Sequence, residues 1–175
     1  MAVVPSDSEP GVSLTAATGP EPAEYRRVLG HFPTGVTIVT ALGPDGPVGL
    51  AVNSFTSVSL RPPLVGFFPA HTSGSWPVIR HAGGFCVNVL GAHQEALART
   101  FASPGTDRFR DVPVRPAPVT GAPVLVGAVA WLDCSIESVT PAGDHDFALA
   151  RVRAIAADST HPPLLFHRGR YGTCD

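Results

Sequence analysis

From Gly35 onward, the apolar positions of this chain mostly alternate with polar ones or run together in short blocks. Such patterns predict strands, whereas helical spacing recurs in only a few places. The first is Glu21 to His31, where Tyr25, Val28, Leu29 and Phe32 share one side and Pro33 stops the run. The second is Ala92 to Ala102, with Ala96, Leu97, Thr100 and Phe101 as its expected inner face and Glu95–Arg99 as an i,i+4 pair. Trp76 to His81 predicts a shorter helix. Strands are expected at Gly35–Leu42, Val48–Val52, Leu64–Phe68, Gly84–Leu90, Val124–Val139, His145–Ala157 and Pro162–Tyr171. The turn signals are Pro44-Asp45-Gly46 and Pro141-Ala142-Gly143-Asp144. Asp107 to Pro123 reads as an irregular connection.

One stretch combines the strand pattern with polar chemistry. From Ala51 to Pro63, small hydroxyl or amide residues alternate with apolar ones. In an extended chain Val52, Ser54, Thr56 and Val58 share one face, and Asn53, Phe55, Ser57 and Ser59 the other. Hydroxyls, an amide and backbone N–H groups there can meet a polar ligand without a strong charge. A plain strand and turn with surface serines is the alternative reading.

Many strands in series, with two or three helices and no βαβ order, predict a mainly β fold with flanking helices. A closed or half-closed antiparallel barrel is the natural architecture. The 175 residues fit one domain. Residues 1–22, rich in Pro, Ser, Thr, Gly and Ala, are expected to be a flexible tail, and residues 23–175 the domain. Hydrophobic residues make up 44% and charged ones only 15%, which suggests surface covered by a partner subunit, a ligand or both.

Composition removes several function classes. All 12 basic residues are Arg and the formal net charge is −2, which argues against a nucleic-acid role. Without Lys there is neither Schiff-base chemistry nor a P-loop. No apolar run reaches the roughly 18 residues of a membrane span, and no signal peptide is apparent. Cys86, Cys134 and Cys174 are dispersed and odd in number, which fits a reduced, cytoplasmic setting. The seven His lack ligand spacing, so no metal site is expected.

What remains is a set of small polar clusters: Thr34-Gly35-Val36-Thr37, Asn53 to Ser59, His71 to Trp76, Gly143-Asp144-His145 and Phe166 to Gly172. The motifs Phe32 to Thr40, Asn53 to Leu64, Ser73-Gly74-Ser75-Trp76, Phe85 to Leu90, Gly143-Asp144-His145 and Gly169-Arg170-Tyr171-Gly172 stand in an order that resembles the flavin reductase-like family. The resemblance covers nearly all of Tyr25 to Gly172. It implies a split β-barrel of the FMN-binding type, a homodimer, and a flavin (FMN or FAD) in a groove near the subunit interface. It also implies NADH or NADPH as co-substrate and a separate monooxygenase that receives reduced flavin.

On that resemblance, Thr34 to Thr37 and Val52, Asn53 and Ser54 flank the flavin ring. Ser57 and Ser59, with Val58 between them, join Thr72 and Ser75 as phosphate candidates. Thr34 and Thr37 also fit simple strand packing. Trp76 is either a wall of the site or a surface contact of Arg80. His145 and Tyr171 are placed near the nicotinamide nucleotide; a turn residue satisfied by Asp144 is the other reading of His145. Arg168 and Arg170 are candidates for the 2′-phosphate of NADPH or exposed charges. Ala150 stands where the family usually has Gly, and its methyl is expected to crowd a ligand. No catalytic side chain is required, because the cofactors carry the hydride chemistry. A flavin-retaining oxidase or oxygenase and a non-catalytic flavin-binding protein are the rival functions.

Overall fold

The computed structural model describes residues 19–103, 105, 107–158 and 161–174. Most of the expected tail lies outside these residues. The chain starts with α1 (Pro22–Leu29), β1 (Thr34–Gly35), β2 (Thr37–Gly43), β3 (Gly46–Val52), β4 (Thr56–Leu60) and β5 (Pro63–Phe67). Then come α2 (Trp76–Ala82), β6 (Gly84–Val89), a 3₁₀ turn at Ala92–Gln94 and α3 (Glu95–Ala102). The short strands β7 (Val114–Pro116) and β8 (Pro123–Leu125) precede β9 (Ala130–Ala142), β10 (His145–Ala157), β11 (Leu164–His167) and β12 (Arg170–Thr173).

Seven strands form the main sheet in the order β3-β2-β6-β9-β10-β5-β4. Its neighbours are all antiparallel. The two edges, β3 and β4, are consecutive in the chain and joined only by Asn53, Ser54 and Phe55. Val52 and Thr56 can therefore lie at most about 14 Å apart. The sheet must curl until its edges stand side by side, but β3 and β4 do not pair. This open seam makes the architecture a split barrel. A second sheet, β1-β11-β12, stands beside it.

Three expected strands are corrected. Ala51 to Ser59 is not one strand: it bends at Asn53–Phe55, where the sheet turns its corner. A register shift then pairs Ser57 with Val65 but Ser59 with Leu64. Directly paired residues share a face, so this bulge at Val58 sends the Ser57 and Ser59 hydroxyls to opposite faces. Val124 to Val139 is divided into β8 and β9 by a turn containing Gly127 at φ 85°. Pro162 to Tyr171 holds a hairpin, not a single strand. Its loop residues Arg168 and Gly169 have φ of 49° and 76°, the two positive values of a tight type I′ turn.

The core lies inside the curled sheet. Phe67 is central, with edge-to-face contacts to Trp76 at 5.7 Å and Phe85 at 5.3 Å. Ala148 and Ala150 of β10 face it, with Val65 and Val87. The Ala150 methyl is thus fully buried in the core and cannot crowd a ligand in an outer groove, contrary to expectation. A second cluster joins Ile38 and Leu90 to α3, β8 and β11. Ala98 and Phe101 are the buried residues of α3, while the expected Ala96 is exposed, because the helix is rotated toward Phe101. Asn88 satisfies part of the buried backbone: its amide donates to Ile38 O at 3.1 Å and its oxygen accepts Leu125 N–H at 2.8 Å.

The α1 helix differs from the rest. Its apolar stripe is present as expected, but none of its residues is buried. Its C-terminal end is tied to the β11–β12 turn by the backbone bond from Arg168 N–H to Gly30 O, 2.9 Å.

A candidate flavin groove at the seam

The seam opens into a groove of about 1020 Å³, within the size of a cofactor site. One side is Thr34, Gly35 and Thr37 from β1 and β2. The corner Asn53 to Thr56 and Phe68 form the next. Phe166, Arg168 and Gly169 close it with the exposed Tyr25, Leu29 and Phe32 of the α1 region.

Of the residues assigned to the flavin from sequence, the groove collects Thr34, Gly35, Thr37, Asn53 and Ser54. Their roles differ. The Thr37 hydroxyl already donates to Val52 O at 2.9 Å and knits β2 to β3. Ser54 Oγ accepts the Phe68 N–H at 3.0 Å and donates to Phe68 O at 3.3 Å, fastening the corner to the end of β5. Thr34 Oγ1 is buried without any hydrogen-bond partner, alone in this among the described residues. A buried orphan hydroxyl is costly unless a ligand completes it. Gly35, paired with Leu165, borders the groove through its backbone, while Thr34, paired with Phe166, turns its side chain toward it. Arg26 and Arg168 line the groove without a carboxylate partner among the described residues. A largely apolar groove with a polar edge and unpaired cations fits a flavin: ring within, phosphate toward charge or hydroxyls.

The other assigned residues lie elsewhere. Val36 and Val52 are core side chains. Ser57 is exposed and Ser59 half-buried, following Thr56 along β4. Thr72 is exposed, whereas the Ser75 hydroxyl donates to Gly49 O at 2.9 Å and accepts from Arg108 at 2.9 Å. Trp76 is 3% exposed, and its indole N–H donates to Asp146 at 2.8 Å. It packs in the core and walls no groove; its expected Arg80 contact is replaced by a shared acceptor, Asp146, 3.6 Å from Arg80. His145 sits at the β9–β10 turn with Asp144 Oδ1 2.6 Å from its Nδ1. Tyr171 packs edge-on against Phe166, with Arg99 over its ring at 4.8 Å. Neither lines the groove. The sequence reading gave no site role to the half-buried Phe55 and Phe166 or to the exposed Phe68, because an aromatic beside a seam looks like any strand residue. The signal for α1 was present: a helical apolar stripe.

No other reactive centre emerges among the described residues. Burial pushes the thiols of Cys86 and Cys134 up to about 12, so both stay protonated. No cluster of metal-ligating side chains occurs among the described residues.

Asp146 ties His71 (3.1 Å), Trp76 and Arg80 to the start of β10. Its carboxyl is held below the ordinary value, first by the Trp76 hydrogen bond, against the opposing pull of burial, then by His71 and Arg80. The unfolded chain therefore takes up this proton more readily. The resulting stability is present above the ordinary value of 3.8 and is lost as pH falls below it. Thermal melts at about pH 5 and about pH 3 should show a steeper acid loss for the natural protein than for Asp146→Asn, which keeps an acceptor but has no charge to titrate. Equal losses would show that Asp146 contributes no acid-sensitive stability.

Comparison with known proteins agrees with this architecture. The flavin reductase of Pseudomonas putida is 49% identical over 153 residues, covering 87% of this chain and 89% of that protein. The reductase subunit HsaB of a flavin-dependent monooxygenase from Rhodococcus jostii (strain RHA1) is 44% identical, covering 92% of this chain and 82% of its own. The NADH:FAD oxidoreductase SgcE6 of Streptomyces globisporus C-1027 superposes with a TM-score of 0.85 at 38% identity, covering 95% of this chain and 99% of its own. The family model for the flavin reductase like domain matches residues 29–175. With its split barrel, its seam groove and these relatives, the chain belongs to the flavin reductase-like family.

Proposed function

We infer that this protein is an NAD(P)H:flavin oxidoreductase that supplies reduced FMN or FAD to a separate flavin-dependent monooxygenase. The observation that carries this reading is the seam groove, apolar within and edged by the orphan Thr34 hydroxyl. The names of the relatives point the same way. Bound flavin accepts the hydride that a nicotinamide nucleotide gives, and the protein contributes position and electrostatics. Thr34, Gly35, Thr37, Asn53 and Ser54 hold the ring edge. Ser57, exposed just beyond Thr56, is the first hydroxyl available to the phosphate, with Thr72 as a second. His145 and Tyr171 are assigned to the nucleotide. His145 stands two residues from Phe147, the ring neighbour of Phe68, and Tyr171 stands behind Phe166.

The working unit is a homodimer in the cytoplasm. Exposed apolar side chains support it: Phe32 is 72% and Leu60 86% exposed, and Tyr25, Val28 and Leu29 of the α1 stripe are exposed as well. Multi-angle light scattering is expected to give twice the chain mass; a monomer that still binds flavin would overturn the dimer. The activity is tested by the visible spectrum of the protein with FMN or FAD under nitrogen. NADH should bleach the flavin band at catalytic rates, and the reduced flavin should leave on gel filtration. Bound flavin that NADH does not bleach would favour a non-catalytic binder. Retained flavin with product formed from an organic substrate, without a second component, would favour an oxygenase.

A further inference from the structure

We propose that Phe68 is the aromatic wall against which the planar ring of the flavin packs, and that Phe147 is the residue that positions it. The inference rests on the flavin reading of the groove. Successive residues at the end of β5 point to opposite faces. Phe67 goes inward and is fully buried, whereas Phe68 goes outward, is 39% exposed and lines the groove. Leaving a phenyl ring half in water forgoes much of its burial energy, unless a ligand covers it.

The ring is held from two sides. The Ser54 hydroxyl binds both the N–H and the C=O of Phe68, so the backbone at this position is fixed. Phe147 lies beside the ring, with centroids 5.0 Å apart and planes inclined by 31°. That placement depends on Gly66: a Cβ there would come within 2.4 Å of the Phe147 ring. Gly66 thus lets Phe147 lie across β5, and Phe147 limits where Phe68 can turn. A rigid aromatic face at an apolar groove suits a flat fused heteroaromatic ligand, which gains from offset stacking.

Titration of the purified protein with FMN and with FAD tests this, read by calorimetry and by the shift of the visible flavin band. Phe68→Leu keeps apolar bulk but removes the ring face. Its flavin dissociation constant should rise about fivefold to tenfold, with loss of the band shift, whereas Phe68→Tyr should stay near the natural value. Phe147→Leu should weaken binding about threefold, and Phe147→Tyr should restore it; a purely structural role would change the melting temperature and leave the band shift intact. Asn53→Trp, which fills the groove from its corner, is the reference. If Asn53→Trp loses flavin while Phe68→Leu binds normally, the groove reading stands and this inference falls. If Asn53→Trp binds flavin normally, the groove reading is wrong and the inference falls with it.

Discussion

Filling the groove at Asn53 should abolish flavin binding without unfolding the protein. Asn53 lines the groove at the corner between β3 and β4, outside both strands. It is exposed, and its side chain makes no hydrogen bond among the described residues, so Asn53→Trp removes no contact that holds the fold. The new indole occupies the space that the ligand ring requires. Affinity for FMN or FAD is expected to fall at least about a hundredfold, which corresponds to about 2.8 kcal/mol. Circular dichroism and melting temperature should stay close to the natural values. Calorimetric titration decides the matter: binding within threefold of the natural protein would place the flavin somewhere else.

The opposite pattern is expected at Asp133, on β9 in the middle of the main sheet. This carboxylate is fully buried and accepts the backbone N–H of Val119 at 2.7 Å, that of Thr120 at 3.2 Å, and the Thr120 hydroxyl. It shapes the turn between β7 and β8, whose Ala117 and Ala122 pack with Cys86. Asp133→Ala leaves these donors without a partner in a dry site. The cost should be about 3 kcal/mol, and in a chain of this size that lowers the melting temperature by roughly 6–12 °C. Asp133 does not line the groove, so flavin affinity at low temperature should hold. Calorimetric unfolding that shows less than about 1 kcal/mol of loss would mean that water replaces the carboxylate.

The two experiments separate site from scaffold, and the same division marks what could be read from the chain. The hairpin of β9 and β10 was legible, because Gly143-Asp144 signals the turn and the long alternating run from His145 to Ala157 has only one sheet-like solution. The motif order from Phe32 to Gly172 identified the family and, with it, the split barrel. Thr34, Gly35, Thr37, Asn53 and Ser54 were placed together by that resemblance, and the fold does gather them along one groove.

Other features depend on partners far along the chain. Asn53 to Phe55 reads as strand, but Ser54 binds Phe68, 14 residues on, and the chain turns a corner there instead. The bulge at Val58 exists only in the pairing of β4 with β5, so no local pattern announces that Ser57 and Ser59 part company. Trp76 is drawn into the core by Phe67 and by an acceptor 70 residues away, Asp146. Ala150 faces inward because β10 pairs with β5 in a register that puts it opposite Val65. Sequence by itself determined periodicity, turns and the inventory of polar groups, since these follow from local backbone preference and side-chain chemistry. Which hydroxyl is satisfied, which aromatic ring faces the groove and which face of each strand is dry were decided by the tertiary structure, because long-range register and curvature set them.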